Sequence, residues 1–159
     1  MKKIQSFFVS VVLFSAALGC AGLASAESVS PGLPFVVLNS GYHTQTGLNT
    51  KKQTKVITSQ TDYATELANY TYATPALVDF TLGKVLLVDM GIRNTGGYSI
   101  GVTSVSATYN SVLANVLLVK PGPGCIVTQA ITNPYQFVYI PSTQEVLVSE
   151  SLQLLVCKR

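Results

Sequence analysis

Tyr98-Ser99-Ile100-Gly101-Val102-Thr103-Ser104-Val105-Ser106-Ala107-Thr108-Tyr109, then Asn110, then Ser111-Val112-Leu113-Ala114-Asn115-Val116-Leu117-Leu118-Val119 is the stretch that decides the fold. It is dense in Val, Thr, Ser and Tyr, then in Val and Leu. One turn-forming residue divides it. Branched and aromatic side chains suit a pleated surface, and Asn tolerates turn geometry, so the stretch reads as two strands joined by a turn. The same texture continues outward. Val85–Ile92 reads as a strand with Asp89 its only charge, and Ile126–Ile131, Tyr135–Ile140 and Glu145–Cys157 read as further strands. Upstream, Phe35–Tyr42 and Lys55–Thr58 are shorter ones. Gly, Pro, Asn or Ser bounds each run. This pattern predicts a mainly β fold, an antiparallel β-sandwich or small barrel with one short α-helix.

The helix is expected over Ser59–Tyr70. Ser59 can cap it, and Asp62 three places on answers both the cap and the helix dipole. Tyr63, Leu67 and Tyr70 fall at i, i+4 and i+7 and so share one face. Pro75 limits its end. Asp62 and Glu66 lie on another face, where neighbouring like charges indicate solvent.

Composition excludes several classes. Of 159 residues, 48% are hydrophobic and only 11% are charged, which is incompatible with a charge-rich disordered chain. A formal charge of +3 with no basic stripe gives no nucleic-acid partner. Residues 1–26 read as a signal peptide: Lys2 and Lys3, an apolar run from Phe7 to Leu18, then Ala24-Ser25-Ala26 with small side chains at −3 and −1. The mature chain is then 27–159, beginning at Glu27. Its formal charge falls to +1, because Lys2 and Lys3 leave with the signal. The expected location is periplasmic or secreted. The alternative is lipid anchoring through Cys20, since Ala17-Leu18-Gly19-Cys20 approximates a lipobox with Ala17 in place of the usual Leu. No later run reaches the roughly 20 apolar residues of a membrane-spanning helix, so no transmembrane segment is expected after cleavage.

Soluble export leaves Cys125 and Cys157. Two thiols in an oxidising compartment suggest one disulfide, the other reading being two separate buried thiols. Catalytic groups are sparse. His43 is the only histidine, and Cys125, the one plausible nucleophile, would be disabled by the bridge. The acids are scattered, no Cys/His spacing suits zinc, and no Asp-rich loop suits calcium. The expectation is no enzyme, no cofactor and no metal site.

Three loops carry shape instead. Arg93-Asn94-Thr95-Gly96-Gly97-Tyr98 joins two strands with paired glycines and an aromatic. Pro121-Gly122-Pro123-Gly124-Cys125 alternates stiff and permissive residues. Asn133-Pro134-Tyr135 is a turn presenting another Tyr. Ordinary β-turns would satisfy the same composition.

At these loops the chain resembles the protease complex subunit PrcB family, over about residues 40–141. The resemblance rests on Asp79-Phe80, Val85-Leu86-Leu87-Val88-Asp89-Met90-Gly91, Thr95-Gly96-Gly97-Tyr98-Ser99-Ile100, Pro121-Gly122-Pro123-Gly124-Cys125-Ile126-Val127-Thr128-Gln129-Ala130 and Asn133-Pro134-Tyr135-Gln136, in order and spacing. Ser40-Gly41-Tyr42 and Val56-Ile57-Thr58-Ser59 match its early segment. Asn94 stands where the family often has Pro before Thr-Gly-Gly-Tyr. The resemblance implies a PrcB-like β domain over 27–159 and a protein partner, a secreted or envelope protease, with no catalytic residues. The family's namesake is a lipoprotein subunit of a surface protease complex.

The expected function is therefore an exported, non-catalytic protein-binding domain, an accessory subunit or modulator of an envelope protease. Asn94, Gly96, Gly97, Tyr98, Pro121, Gly122, Pro123, Gly124 and Tyr135 are the expected partner-binding residues, with Tyr98 and Tyr135 as aromatic anchors. Two alternatives stand beside it. The loops also echo, in order, those of chagasin-like protease inhibitors, without their Arg-Pro-aromatic loop. A structural or polysaccharide-contacting envelope protein is the other. In strict up-and-down order the Gly96–Tyr98 and Pro121–Cys125 loops share one end, and Asn133–Tyr135 joins them only if one strand bends or switches sheets.

Overall fold

The computed structural model describes residues 32–44 and 51–157. The expected signal segment, the lipobox at Cys20 and the expected new terminus at Glu27 lie outside the described residues. Seven strands and one helix follow in order: β1 Val36–Gly41, β2 Gln53–Ile57, α1 Gln60–Ala68, β3 Lys84–Asp89, β4 Ser99–Ala107, β5 Ser111–Pro121, β6 Tyr135–Ile140 and β7 Glu145–Leu155. They form a four-stranded sheet in the order β1-β6-β3-β2 and a three-stranded sheet in the order β4-β5-β7. The fold is mainly β with one short helix, and the sheets remain open rather than closing into a barrel.

The helix begins where its cap predicts. Ser59 is extended, its Oγ accepts from the Asp62 amide at 3.0 Å, and its hydroxyl donates to the Asp62 carboxyl at 2.7 Å. Tyr63 and Leu67 point inward, and Tyr70 follows on the same side just beyond the helix. They pack with Ile57, Val85, Leu87, Tyr135 and Phe137 on the outer face of the four-stranded sheet. Tyr63, Tyr70 and Tyr135 set their rings around Phe137, with centroids 5.3–6.0 Å away, in the edge-on geometry that aromatic quadrupoles favour.

The other face of that sheet meets the second sheet. Leu86, Val88, Val138 and Ile140 pack there against Val102, Val105, Val112, Ala114 and Val116. β3 is thus covered on both faces, which explains its unbroken Val-Leu-Leu-Val run. β5 is covered on one face and alternates strictly between buried and half-buried positions along Ser111–Val119. Burying a side chain of this size stabilises by about 1.5–3 kcal/mol, so the three layers hold one another.

Two expectations are corrected. Ile126–Ile131 is not a strand. It is an irregular crossing between the sheets, with Ile126 and Ile131 exposed and a single bridge between Arg93 and Thr132 at its end. A segment that changes sheets cannot keep a ladder partner, whatever its β propensity. The sandwich is also not antiparallel throughout, since β7 pairs parallel to β5 over its whole length. β6 supplies the crossover that a parallel pair requires, because it lies in the other sheet.

Burial pushes the Tyr63 and Tyr135 phenols above the ordinary value, with a hydrogen bond to the Ala76 backbone partly opposing this at Tyr63. Above the unfolded phenol pKa, near 10, the unfolded chain binds fewer protons than the folded one. Stability is therefore intact below that value and falls as pH rises through the folded pKa values. A tyrosinate absorbance titration should show Tyr63 and Tyr135 ionising late and together with unfolding, their steps identified by Tyr63→Phe and Tyr135→Phe. Ordinary ionisation of both would contradict that packing.

Candidate functional site: the crossing loops

Two connections carry the chain between the sheets, residues 90–98 from β3 to β4 and residues 122–134 from β5 to β6. They run side by side. Arg93 and Thr132 exchange backbone hydrogen bonds at 2.8 and 2.9 Å, Gly96 N–H donates to Thr128 C=O at 2.9 Å, and Thr132 Oγ1 donates to Thr95 C=O at 3.0 Å. Backbone shape requires glycine at Gly97, which adopts φ +83° against Val127 and Pro121, and Gly96 lies against the Thr128 hydroxyl.

Asp89, at the end of β3, fastens this end of the molecule. It is fully buried. One carboxyl oxygen accepts from Gly91 N–H at 2.7 Å and Asn133 Nδ2 at 2.8 Å; the other accepts from Tyr70 Oη at 2.7 Å and Gln53 Nε2 at 3.4 Å. Asn133 N–H in turn donates to Tyr42 C=O at 2.6 Å. One side chain thus links β2, the helix exit, both crossings and the exit of β1. Charge-assisted bonds of this kind make burial of a carboxyl group tolerable.

The Pro-Gly loop is fastened separately. A disulfide joins Cys125 to Cys157 with Cα atoms 5.2 Å apart, and Gly122 N–H donates to Leu155 C=O at 3.1 Å. The bridge spans 32 residues of sequence. It binds the second crossing to the end of β7.

Gly96–Tyr98, Pro121–Cys125 and Asn133–Tyr135 therefore stand at one end. The third joins because the β5-to-β6 connection changes sheets. Their exposure differs, however. Asn94, Gly97, Pro123 and Gly124 are exposed, Pro121 and Gly122 are half-buried, and Gly96 is buried. Tyr98 is half-buried, packs against the inter-sheet core, and lies beneath the Arg93 guanidinium at 5.7 Å. The Arg93 guanidinium also donates to the carbonyls of Met90 and Ile92.

Tyr135 requires correction as a contact anchor. It is 4% exposed and belongs to the helix-facing core, with its hydroxyl donating to Asn39 Oδ1 at 3.1 Å. The turn places it at the first position of β6, where the outer face is covered by Tyr70. Sequence reasoning also missed Ile126, which is fully exposed beside the disulfide. Its position after Cys125 was the available signal, hidden by reading it as the start of a strand.

His43 is exposed and Cys125 is disulfide-bonded, so the two do not form a nucleophile and base. Among the described residues no group of three His, Cys, Asp or Glu side chains comes together as a metal site. No helix among them is long and apolar enough to cross a membrane. A cavity of roughly 140 Å³ lies between the start of β4 and the β1–β6 pair, lined by Tyr42, Ser99, Tyr135 and Gln136 among others. It is well below the ~300–1,000 Å³ of small-molecule sites.

The architecture defines a class: a helix-backed, two-sheet β domain whose crossing loops form one braced end. The family is more particular. Residues 84–141 match the family model described as PrcB C-terminal, which takes in β3 through β6 and both crossings. The match falls on the family that the loop motifs resemble. No curated protein and no solved structure matches the chain.

Proposed function

We propose that the chain is an exported, non-catalytic accessory subunit or modulator of an envelope protease, which it contacts through the exposed part of the crossing loops. The observation that carries this reading is the coincidence of the PrcB C-terminal match with those loops, held together at one end. A protease-associated role is what the match itself suggests. A braced loop end supports it physically, because preorganised loops lose little entropy on binding. The contact set is Asn94, Gly97, Pro123 and Gly124, with Ile126 added and Tyr135 removed. Tyr98 supports the loop from beneath.

The test is capture by the mature chain from envelope extract, with the captured protein identified as a protease by an active-site-directed probe. Asn94→Arg combined with Ile126→Arg should abolish capture and leave the melting temperature within about 2 °C, as expected of surface substitutions. Retained capture, or a captured protein that no protease probe labels, would remove the reading. The same preparation tests export. Intact mass should give a chain starting at Glu27, whereas a lipid-modified Cys20 would replace soluble export by anchoring.

A further inference from the structure

β7 borders the three-stranded sheet for 11 residues and, among the described residues, pairs only with β5. The opposite border is partly covered, since Leu33 N–H donates to Val105 C=O at 2.7 Å and Gly32 bridges Ser106. β7 has no Pro, no Lys and no bulge, and its only charges are Glu145 at its start and Glu150, which pairs with Lys52. It exposes Leu147, Leu152, Leu154 and Leu155 instead.

The phase of its backbone limits what can pair there. Leu155 C=O turns toward the β5 side, where it accepts from Gly122 N–H. Backbone groups alternate along a strand, and the β5–β7 register is unbroken. Ser151 and Gln153 therefore also turn their backbone toward β5, while Val148, Glu150, Leu152 and Leu154 turn theirs outward. A second β7 strand lying antiparallel can hydrogen-bond only in registers that set these outward residues against one another. Centring the pair on Glu150 places that carboxylate against its own copy. Centring it on Leu152 leaves Leu147 opposite Cys157. Centring it on Ser151 removes both faults: Glu150 falls opposite Leu152, Val148 opposite Leu154, Leu147 opposite Leu155, and Ser149 opposite Gln153. In this register β7 is chemically close to a palindrome. Glu150 meanwhile keeps its own cation, Lys52, within the same copy.

We propose that β7 is a self-association edge: two copies of this chain pair β7 antiparallel about a two-fold axis at Ser151, joining their three-stranded sheets into one of six strands. Like charge excludes the register centred on Glu150, and in the Ser151 register Leu147, Leu154 and Leu155 gain apolar partners while Leu152 lies beside the aliphatic stem of Glu150.

The experiment uses the chain with its Cys125–Cys157 bridge intact. Light scattering over a dilution series should show a dimer at the concentrated end. Ser151→Cys should give a disulfide-linked dimer on mild oxidation, because a residue at the axis faces itself in the closely spaced type of pair. Ser149→Cys and Gln153→Cys should not cross-link separately and should do so when mixed. Leu152→Glu sets a carboxylate opposite Glu150 of the second copy, a clash the axis repeats, and should raise the dimer dissociation constant about tenfold or more, whereas Leu152→Lys should retain the dimer. Leu152 is exposed, so both variants should keep the parent melting temperature at dilutions where the chain is a monomer. A monomer at every concentration overturns the proposal, and so does a dimer that Ser151→Cys does not cross-link.

Discussion

Asp89→Ala is expected to remove about 3–5 kcal/mol of stability, the scale observed when one partner of a buried charged network is deleted. The substitution strips the acceptor from Gly91 N–H, Asn133 Nδ2 and the Tyr70 hydroxyl, which now lie within 2.7–2.8 Å of the carboxyl oxygens. Each buried group left without a partner costs about 1–3 kcal/mol, and domains of this size hold only about 5–15 kcal/mol in total. Tyr70→Phe removes the bond to Asp89 and the one the hydroxyl accepts from Gln53 Nε2 at 2.8 Å, and should cost about 1–2 kcal/mol. Thermal melting separates the cases: the alanine variant should melt roughly 10 °C lower or fail to fold, and the phenylalanine variant only a few degrees lower. An alanine variant within a degree or two of the parent would show that Asp89 is not the fastening. Since the same carboxyl joins both crossings, Asp89→Asn, which keeps one acceptor oxygen, should retain more of the loop geometry than alanine does.

The second large effect concerns the bridge. Replacing Cys125 and Cys157 together by serine should cost about 3–4 kcal/mol, from the chain entropy returned to a loop of this length in the unfolded state. The loss should be local as well as global. Amide exchange should quicken along the Pro121–Thr128 crossing and the last residues of β7, whose Gly122–Leu155 hydrogen bond lies beside the bridge. Exchange in β3, enclosed on both faces, should change only through the global term. Equal melting temperatures for the oxidised and reduced protein would contradict this.

Much of the fold was legible because local chemistry and tertiary context agreed. Ser59 and Asp62 marked the helix start, Tyr63, Leu67 and Tyr70 marked its buried side, and the continuous apolar run of β3 marked a doubly covered strand. The failures share a cause: they occur where the chain changes sheets. Ile126–Ile131 has strand-like side chains but no neighbouring strand, and propensity does not report neighbours. The parallel direction of β7 depends on β6 lying in the other sheet, which no window of sequence contains.

At the site, the loops themselves were legible from their glycines and prolines, but their exposure was not. Tyr135 sits in a turn motif and yet is core, because Tyr70 covers it from 65 residues upstream. Asp89 carried a signal of its own: a lone acid in an apolar strand must find donors, and these come from Tyr70, Gly91 and Asn133.

The strand order β1-β6-β3-β2 sets a schedule for folding. β6 separates β1 from β3, so neither can complete its ladder until residue 140 is available. β5 gains its second neighbour only with β7, whose last residue is 155, and the bridge closes at Cys157. Before then the chain can form α1, the β2–β3 pair and the β4–β5 hairpin, none of which buries both faces of β3. Cooperative collapse is thus deferred to the arrival of the C-terminal part. Its rate should be slow, governed by pairings distant in sequence. A chain ordered this way remains threadable until residues 135–157 arrive, and then locks abruptly.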